Sequence, residues 1–438
     1  MAQYDTYEQV EAYILSIPKF AKKIGTESLI EILAFLGHPE RLVPAIHVAG
    51  TNGKGSTCAY MQSVYMQAGY HVGMFTSPHL VRMNERIRID HGEIEDEDFV
   101  ACFQEIHETV MQQGFSYPSF FEMLFLIAVL YFAKKKPDLV IYETGMGGRL
   151  DATNVLAPKL CVITSIGYDH MQYLGDTIEK IAYEKAGIIK AHTPVIYFKR
   201  DPVSAEVIEK QAAKMHAPCV FVEKNDYMVH KITTKNIDFS IDSRYYKCDS
   251  VKIPATGLYQ VENAVLAASA VKLLESTSVG NEDIRQGLAA MYWEGRMEQL
   301  MPDVWIDGAH NEEAILCWID TLKQLYADSR NRLVFAVAND KDYVDMIRHI
   351  GTQLHFEKIY ITTIPGARRT DCEYVKEQFA RNTSDVLCVI EDTKEALFTA
   401  CRERPSDQKL FIVGSLYLVG AVKQWQEELI RYMEQIEG

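Results

Sequence analysis

Short apolar runs rich in β-branched residues alternate with helical patterns along most of the chain, and this alternation restricts the fold more than any other feature. When buried strands are separated by helices, the strands lie parallel in one sheet and the helices cover its faces. Ile46-His47-Val48 leads into a glycine-rich loop, and Ser56 to Gly69 reads as a helix ending at glycine. Asp138 to Tyr142 is a buried strand that ends at Glu143; Leu160 to Thr164 and Pro194 to Phe198 are two more. GLYQVENAVLAASAVKLL, from Gly257 to Leu274, reads as a long packed helix after a turn.

A second alternation begins near residue 300, with runs at Val304 to Ile306, Leu333 to Val337, Lys358 to Thr362, Val386 to Ile390 and Lys409 to Val413. A chain of 438 residues exceeds what one hydrophobic core usually supports. The expected architecture is therefore α/β in two parts, with the boundary near Gly295-Arg296. Residues 1–295 form a P-loop-type, mostly parallel sheet flanked by helices, and residues 296–438 a smaller Rossmann-like domain.

Composition removes several classes of function. A formal charge of −15 argues against non-specific nucleic-acid binding, which needs a basic face. The nine cysteines are scattered and include no C-x-x-C pair, which favours free thiols in a reducing cytoplasm. The start, MAQYDTYEQVEAYIL, lacks the basic and apolar regions of a signal peptide. The longest apolar run, Met123 to Ala133, falls short of the roughly 18 residues of a membrane span. A cytoplasmic protein with small-molecule partners, and neither nucleic acid nor membrane, is expected.

The loop itself reads AGTNGKGST, Ala49 to Thr57. It resembles a phosphate loop but departs from G-x-x-x-x-G-K-[ST], because Gly50 and Gly53 are too close and Gly55 separates Lys54 from Ser56. Strand, glycine turn and helix are the context in which backbone N–H groups and a helix N-terminus bind anions. Lys54 would then reach the β- and γ-phosphates, with Ser56 or Thr57 adding hydroxyl contacts. A glycine-rich turn with a solvated lysine has the same spacing, so the loop alone leaves both open.

The other strand ends decide. Glu143 closes a buried strand and precedes TGMGGRLDATN, Thr144 to Asn154, which carries Arg149 and Asp151. Thr164 to His170 puts an acid and a histidine after the next strand. One strand-end histidine is usually structural. Three successive strands, however, deliver Lys54, Glu143 and His170 to the edge where parallel sheets bind ligands.

Taken in order, AGTNGKGST, TSPHLVRMNERI (Thr76 to Ile87), ETGMGGRLDATN, TSIGYDHMQYLGDTIEKIAYEKAGIIK (Thr164 to Lys190), WEGRME (Trp293 to Glu298), IDGAHN (Ile306 to Asn311) and GSLYLVGAV (Gly414 to Val422) resemble the folylpolyglutamate synthase/dihydrofolate synthase family of the Mur-ligase superfamily. In that family the short loop G-T-N-G-K-G-S is the normal form. The resemblance implies an ATP-dependent ligase: a folate-type carboxylate attacks the γ-phosphate, and the amine of L-glutamate then attacks the acyl phosphate.

Residue by residue, it implies ATP contacts at Thr51, Asn52, Gly53, Lys54, Gly55, Ser56, Thr57, Asn263, Arg296, Asp307 and Asn311. Mg²⁺ ligands are implied at Ser77, Glu143 and His170, with Lys185 as a further one if carbamylated; an unmodified helix lysine is the alternative. One or two Mg²⁺ ions, and optionally a monovalent cation, accompany ATP. Lys54, Glu143, His170, Lys185 and His310 are the implied catalytic groups, and Asp307, His310 and Ser415 are tied to glutamate. Folate contacts are expected at Arg82, Arg86, Arg149 and Asp151, the two arginines at 82 and 86 being otherwise surface charges and Asp151 otherwise a turn residue capping its own loop.

GGRLDATN resembles enzymes that both make dihydrofolate from dihydropteroate and extend polyglutamates, so a bifunctional monomer is expected. Alternatives are an extension-only enzyme, a Mur-type ligase with another acceptor, and a non-catalytic nucleotide switch. The segment before residue 45 is short for a UDP-binding domain, and a switch would not need the acid, histidine and C-terminal set. Thr144 and Met146 depart from the family's aliphatic pattern, and no glycine follows the strand at Phe198-Lys199-Arg200.

Overall fold

The computed structural model describes residues 4–17, 26–274, 277–327, 329–339, 342–366 and 369–437. Strands β1 (Ala45–Ala49), β2 (Val72–Phe75), β3 (Ile87–Ile89), β4 (Gly92–Glu93), β5 (Leu139–Glu143), β6 (Leu160–Ile163), β7 (Val195–Lys199) and β8 (Cys219–Glu223) form one sheet, ordered β4-β3-β2-β5-β1-β6-β7-β8. Its body is parallel; only β3 and β4, at one edge, run antiparallel. β5 and β6 flank β1 on opposite sides, so the strand order reverses there and a crevice opens at their carboxyl ends.

Two helices that the sequence reading did not anticipate precede this sheet. α1 (Tyr7–Ser16) begins with a capping box between Thr6 and Gln9, and buries Tyr7, Val10 and Ile14 along one face. α2 (Glu27–Phe35) buries Leu29, Ile32 and Leu33. α3 (Lys54–Gln67) starts two residues earlier than the pattern suggested, because Gly53 takes the left-handed conformation needed to enter it. α4 (Asp96–Gln113) and α5 (Phe120–Lys135) cover the other face, and α5 is buried at every position from Met123 to Ala133. That explains its apolar run; among the described residues no helix is long and apolar enough to cross a membrane.

After β6 come α6 (Met171–Leu174), α7 (Ile178–Ala186) and α8 (Pro202–Lys214). An antiparallel meander, β9 (Tyr227–Ile232), β10 (Ile237–Asp242) and β11 (Lys247–Ile253), then packs with α9 (Tyr259–Leu273) and α10 (Asn281–Ala290) into the core behind α3. The meander was also unanticipated. Its strands are mostly half-exposed, so no continuous apolar run marks them.

The second sheet contains β12 (Glu298–Met301), β13 (Val304–Ile306), β14 (Arg330–Phe335), β15 (Lys358–Ile361), β16 (Val386–Val389) and β17 (Gln408–Val413), ordered β12-β13-β17-β14-β15-β16. All but the β12–β13 pair are parallel. Helices α11 (Glu312–Leu325), α12 (Tyr343–Gln353), α13 (Cys372–Ala380), α14 (Thr393–Arg402), α15 (Leu416–Gln424) and α16 (Gln426–Glu437) accompany it. Two apolar clusters of its own fill the faces of this sheet.

Candidate active site

The loop between β1 and α3 is held from both sides. A Cβ at Gly50 would overlap Thr164 Oγ1, and one at Gly53, where φ is 82°, would overlap Asn263 Oδ1. Thr51 N donates to Ser165 O at 2.7 Å, its hydroxyl exchanges bonds with the backbone of Gly167, and Thr164 Oγ1 donates to Asn52 O at 2.6 Å. The end of β6 therefore buttresses the loop.

Two ammonium groups meet at one carbonyl. Lys54 Nζ donates to Gly50 O at 3.2 Å and Thr51 O at 3.1 Å, and Lys185 Nζ donates to the same Gly50 O at 2.7 Å. Burial, and then the charge of Lys54, lowers the Lys185 amine to about 7. Lys54 Nζ also stands 4.0 Å from Glu143 Oε1. Glu143 is buried at the end of β5, which pushes its carboxyl above the usual range against the pull of Lys54, and its Oε2 accepts from Ser77 N at 2.9 Å.

Three residues from other elements complete the large-domain wall. His170 sits at the start of α6 with φ 51°, its Nε2 3.9 Å from Asp169 Oδ2. Arg86 is buried with its Nε donating to His79 Nδ1 at 2.8 Å, and burial lowers it to about 10. Ser56 lines the cavity and accepts from Gln260 Nε2 at 3.3 Å.

The small domain supplies the facing wall. Asp307, at the end of β13, accepts from Met297 N, Ala309 N and Tyr259 Oη at 2.8, 2.7 and 2.8 Å. Burial raises its carboxyl, with Arg296 opposing. Asn311 caps α11 through Ala314 N and pairs with Asn52 of the loop. His310 Nδ1 is 2.8 Å from Gly308 O, a contact that makes Nδ1 the protonated nitrogen, and its Nε2 is 3.8 Å from Asp169 Oδ2. Asp169 thus stands between His170 and His310. Ser415 caps α15, and Asn263 donates to Gln260 Oε1 at 3.0 Å.

Four expected residues lie elsewhere or are otherwise engaged. Arg82 points away from the cavity: Asp96 holds it through two hydrogen bonds, and it lies over the Tyr7 ring. Arg149 is paired with Glu184 at 2.8 Å and stacked near Tyr183. Thr57 is fully buried behind the loop. Asp151 touches the cavity, yet Oδ2 accepts from Met146 N and Oδ1 from Thr153 N and Oγ1, so it caps its own loop.

Lys54, Glu143 and Lys185 of one wall and Asp307, His310 and Ser415 of the other line a cavity of about 1060 Å³ between the domains. Several of its residues were not foreseen. Tyr13, Ile17, Leu29 and Ile32 bring α1 and α2 to one end, with Phe120 and Phe121 beside them. Arg200, Glu262 and Glu313 lie near the loop. Glu262 lies within GLYQVENAVLAASAVKLL and Glu313 two residues beyond IDGAHN, but nothing local distinguished either from a solvated charge.

An anion loop on one domain, acids and amides on a second, and a cavity between them define a nucleotide-using ligase of the Mur type. Residues 48–271 match the model of the Mur ligase middle domain, and residues 295–416 that of the Mur ligase glutamate ligase domain. Over 96% of its length the chain is 36% identical to the dihydrofolate synthase/folylpolyglutamate synthase of Bacillus subtilis (strain 168), covering 99% of that protein. It is 33% identical to the folylpolyglutamate synthase of Lacticaseibacillus casei, with 95% and 98% covered. The solved structure of E. coli FolC with DHPP and ADP superposes with a TM-score of 0.86 at 27% identity, over 98% of this chain and 99% of that one. The Mycobacterium tuberculosis folylpolyglutamate synthase complexed with ADP and AMPPCP gives 0.85 at 28% identity, over 96% and 98%. The chain belongs to the dihydrofolate synthase/folylpolyglutamate synthase family.

Proposed function

We propose that this protein joins L-glutamate to a folate-type carboxylate at the expense of ATP, acting on dihydropteroate as well as on reduced folates. The observation that carries the reading is the convergence of Lys54, Glu143 and Ser77 from one domain with Asp307, His310 and Ser415 from the other on a single cavity.

The triphosphate lies along Thr51 to Ser56, where loop N–H groups and the start of α3 face it. Lys54 leaves its two backbone carbonyls for the β- and γ-phosphates. The acceptor's ring system occupies the apolar end lined by Tyr13, Ile17, Leu29, Ile32 and Phe121. Its carboxylate faces the triphosphate near Arg86, whose buried guanidinium offsets the repulsion between the two anions. Carboxylate oxygen attacks the γ-phosphorus and ADP leaves. The glutamate amine then attacks the acyl carbon, and phosphate departs with that oxygen. Asp307 uses three of roughly four acceptor positions, two on the backbone beside its strand and one on Tyr259 of α9, leaving one for substrate. His310 and Ser415 are the small-domain groups placed for glutamate, and closure of the small domain over the cavity would keep water from the acyl phosphate.

The residues fit Mg²⁺. Glu143 is a buried carboxylate beside Ser77, with His170 on the same wall, and among the described residues no three His, Cys, Asp or Glu form a cage of their own. Mg²⁺ suits such an open set because it keeps waters and takes phosphate oxygens as ligands. When bound it supplies charge neutralisation for the triphosphate. Lys185, with its amine lowered, would join this set on carbamylation. In this reading the domain boundary falls at Gly295-Arg296, and the small domain must close onto ATP there. All nine cysteines are unpaired, which supports a cytoplasmic setting, and we read the working form as a monomer.

Glutamate-dependent ADP release with 7,8-dihydropteroate and with tetrahydrofolate as acceptors tests the reading. Turnover is expected with both. Turnover with tetrahydrofolate alone would restrict the enzyme to chain extension, and turnover with neither would assign it another acceptor.

A further inference from the structure

Phe198-Lys199-Arg200 leaves β7 at the cavity, and Arg200 is the residue there for which the reaction above gives no task. Its guanidinium contacts two carboxylates: Nη2 that of Glu262 on α9, and Nη1 that of Glu313 on α11. Glu262 belongs to the large domain and Glu313 to the small one. Glu262 also accepts from Tyr227 Oη at 3.2 Å, which ties it to the meander. Glu313 reaches into the large domain, where its Oε2 accepts from Asn52 Nδ2 at 2.8 Å and from Ser165 Oγ at 3.5 Å. The bare Cα of Gly167 makes room for it, since a Cβ there would overlap Glu313 Oε2.

Glu313 stands two residues after Asn311 and three after His310, so whatever holds it also sets those two against the phosphate loop. Asn52 makes the same point from the other side, because it binds both Asn311 and Glu313. We propose that Arg200 is a positioning residue: bridging Glu262 to Glu313, it holds the small domain in the closed arrangement that presents Asn311 and His310 to the nucleotide. This rests on the active-site reading given above. The arrangement is asymmetric in charge. Two carboxylates share one guanidinium, so removing the arginine does not merely delete a contact; it leaves two anions facing each other across the domain boundary. Uncompensated charges of this kind cost more than the pair contributes.

That asymmetry supplies a test that separates positioning from mere folding. Arg200→Ala is expected to lower kcat/KM for ATP about tenfold or more in low salt, and Arg200→Lys by less, since it keeps the charge but not the fork. Adding Glu313→Gln to Arg200→Ala should recover about threefold or more, because the repulsion is gone while the amide oxygen still accepts from Asn52. The Arg200→Ala defect should shrink as salt rises, whereas the parent should lose activity. Thermal midpoints of all three variants should stay within about 3 °C of the parent. An Arg200→Ala enzyme within about twofold of the parent would overturn the proposal. So would a loss that Glu313→Gln deepens, or one matched by a fall in the folded fraction. Lys54→Ala serves as the control: full activity there would refute the site itself, whatever Arg200 does.

Discussion

Asn52 and Asn311 face each other across the domain boundary and exchange two side-chain hydrogen bonds, of 3.2 and 2.9 Å. One lies in the phosphate loop and the other caps the first helix of the small domain, so this pair reports closure at the nucleotide. Asn311→Ala should cost about 1 kcal/mol of stability through the lost cap, and about 10- to 100-fold in kcat/KM. Asn311→Asp separates the two effects. It keeps the capping oxygen but cannot donate to Asn52, and it adds charge near Asp169. Chemical denaturation should show parent-like stability while activity stays low; activity at the parent level would contradict the role assigned to the pair.

Lys185 gives a pH signature. Its amine is lowered to about 7 by burial and by Lys54, against 10.5 for an ordinary lysine. Between those values the unfolded chain binds more protons than the folded one, so this residue makes stability rise as pH increases from 7 toward 10. In CO₂-free buffer, urea unfolding of the parent and of Lys185→Met should diverge with pH, the parent gaining relative to the variant from pH 7 to 9. A pH-independent difference would mean that Lys185 is not buried as a neutral amine. The same neutral amine is what carbamylation requires, so added bicarbonate should stimulate ligation more at pH 8 than at pH 6.

Arg82 and Arg86 should behave as opposites. Arg86 is buried in the cavity wall, whereas the Arg82 side chain is 48% exposed and bound to Asp96. Arg86→Ala is expected to raise KM for the folate acceptor about 10- to 100-fold, and Arg82→Ala to change it less than about twofold. Steady-state kinetics with varied acceptor decides. Equal effects would place Arg82 in the site after all.

Gly53→Ala should damage nucleotide binding without unfolding the protein. The left-handed backbone costs an alanine about 1–2 kcal/mol, and its methyl would meet Asn263 Oδ1. Calorimetric titration should show ADP affinity reduced about tenfold or more. Parent-like affinity would show that the loop rearranges when it binds.

Where a side chain's partner lies close in sequence, the sequence was legible. The strand–loop–helix around Lys54 and the acid at the end of β5 follow from local pattern, and the parallel order of the sheet then brings them together. The long helix carrying Asn263 was readable for the same reason. Arg82 and Arg86 were not separable, because four residues apart on one loop they look alike until Asp96 and the cavity sort them. Asp151 was legible as two alternatives: its three backbone and hydroxyl donors show it capping its own loop, and its place in the cavity wall leaves the folate contact as a proposal. Tyr13, Ile17, Leu29 and Ile32 sit in ordinary amphipathic helices whose register gives no hint that one edge lines a pocket. Arg200 depends on two carboxylates far away in the chain, one of them in the other domain, and no local signal encodes such a meeting.

The acyl-phosphate route is the centre of the account, and oxygen tracing tests it most directly. With an acceptor whose carboxylate carries ¹⁸O, ATP, Mg²⁺ and glutamate, the released phosphate should contain one labelled oxygen per turnover, and Glu143→Ala should release none. Unlabelled phosphate from an active parent enzyme would mean that the acceptor carboxylate never attacks the γ-phosphorus, and the roles assigned to Lys54, Glu143 and Arg86 would fall with it.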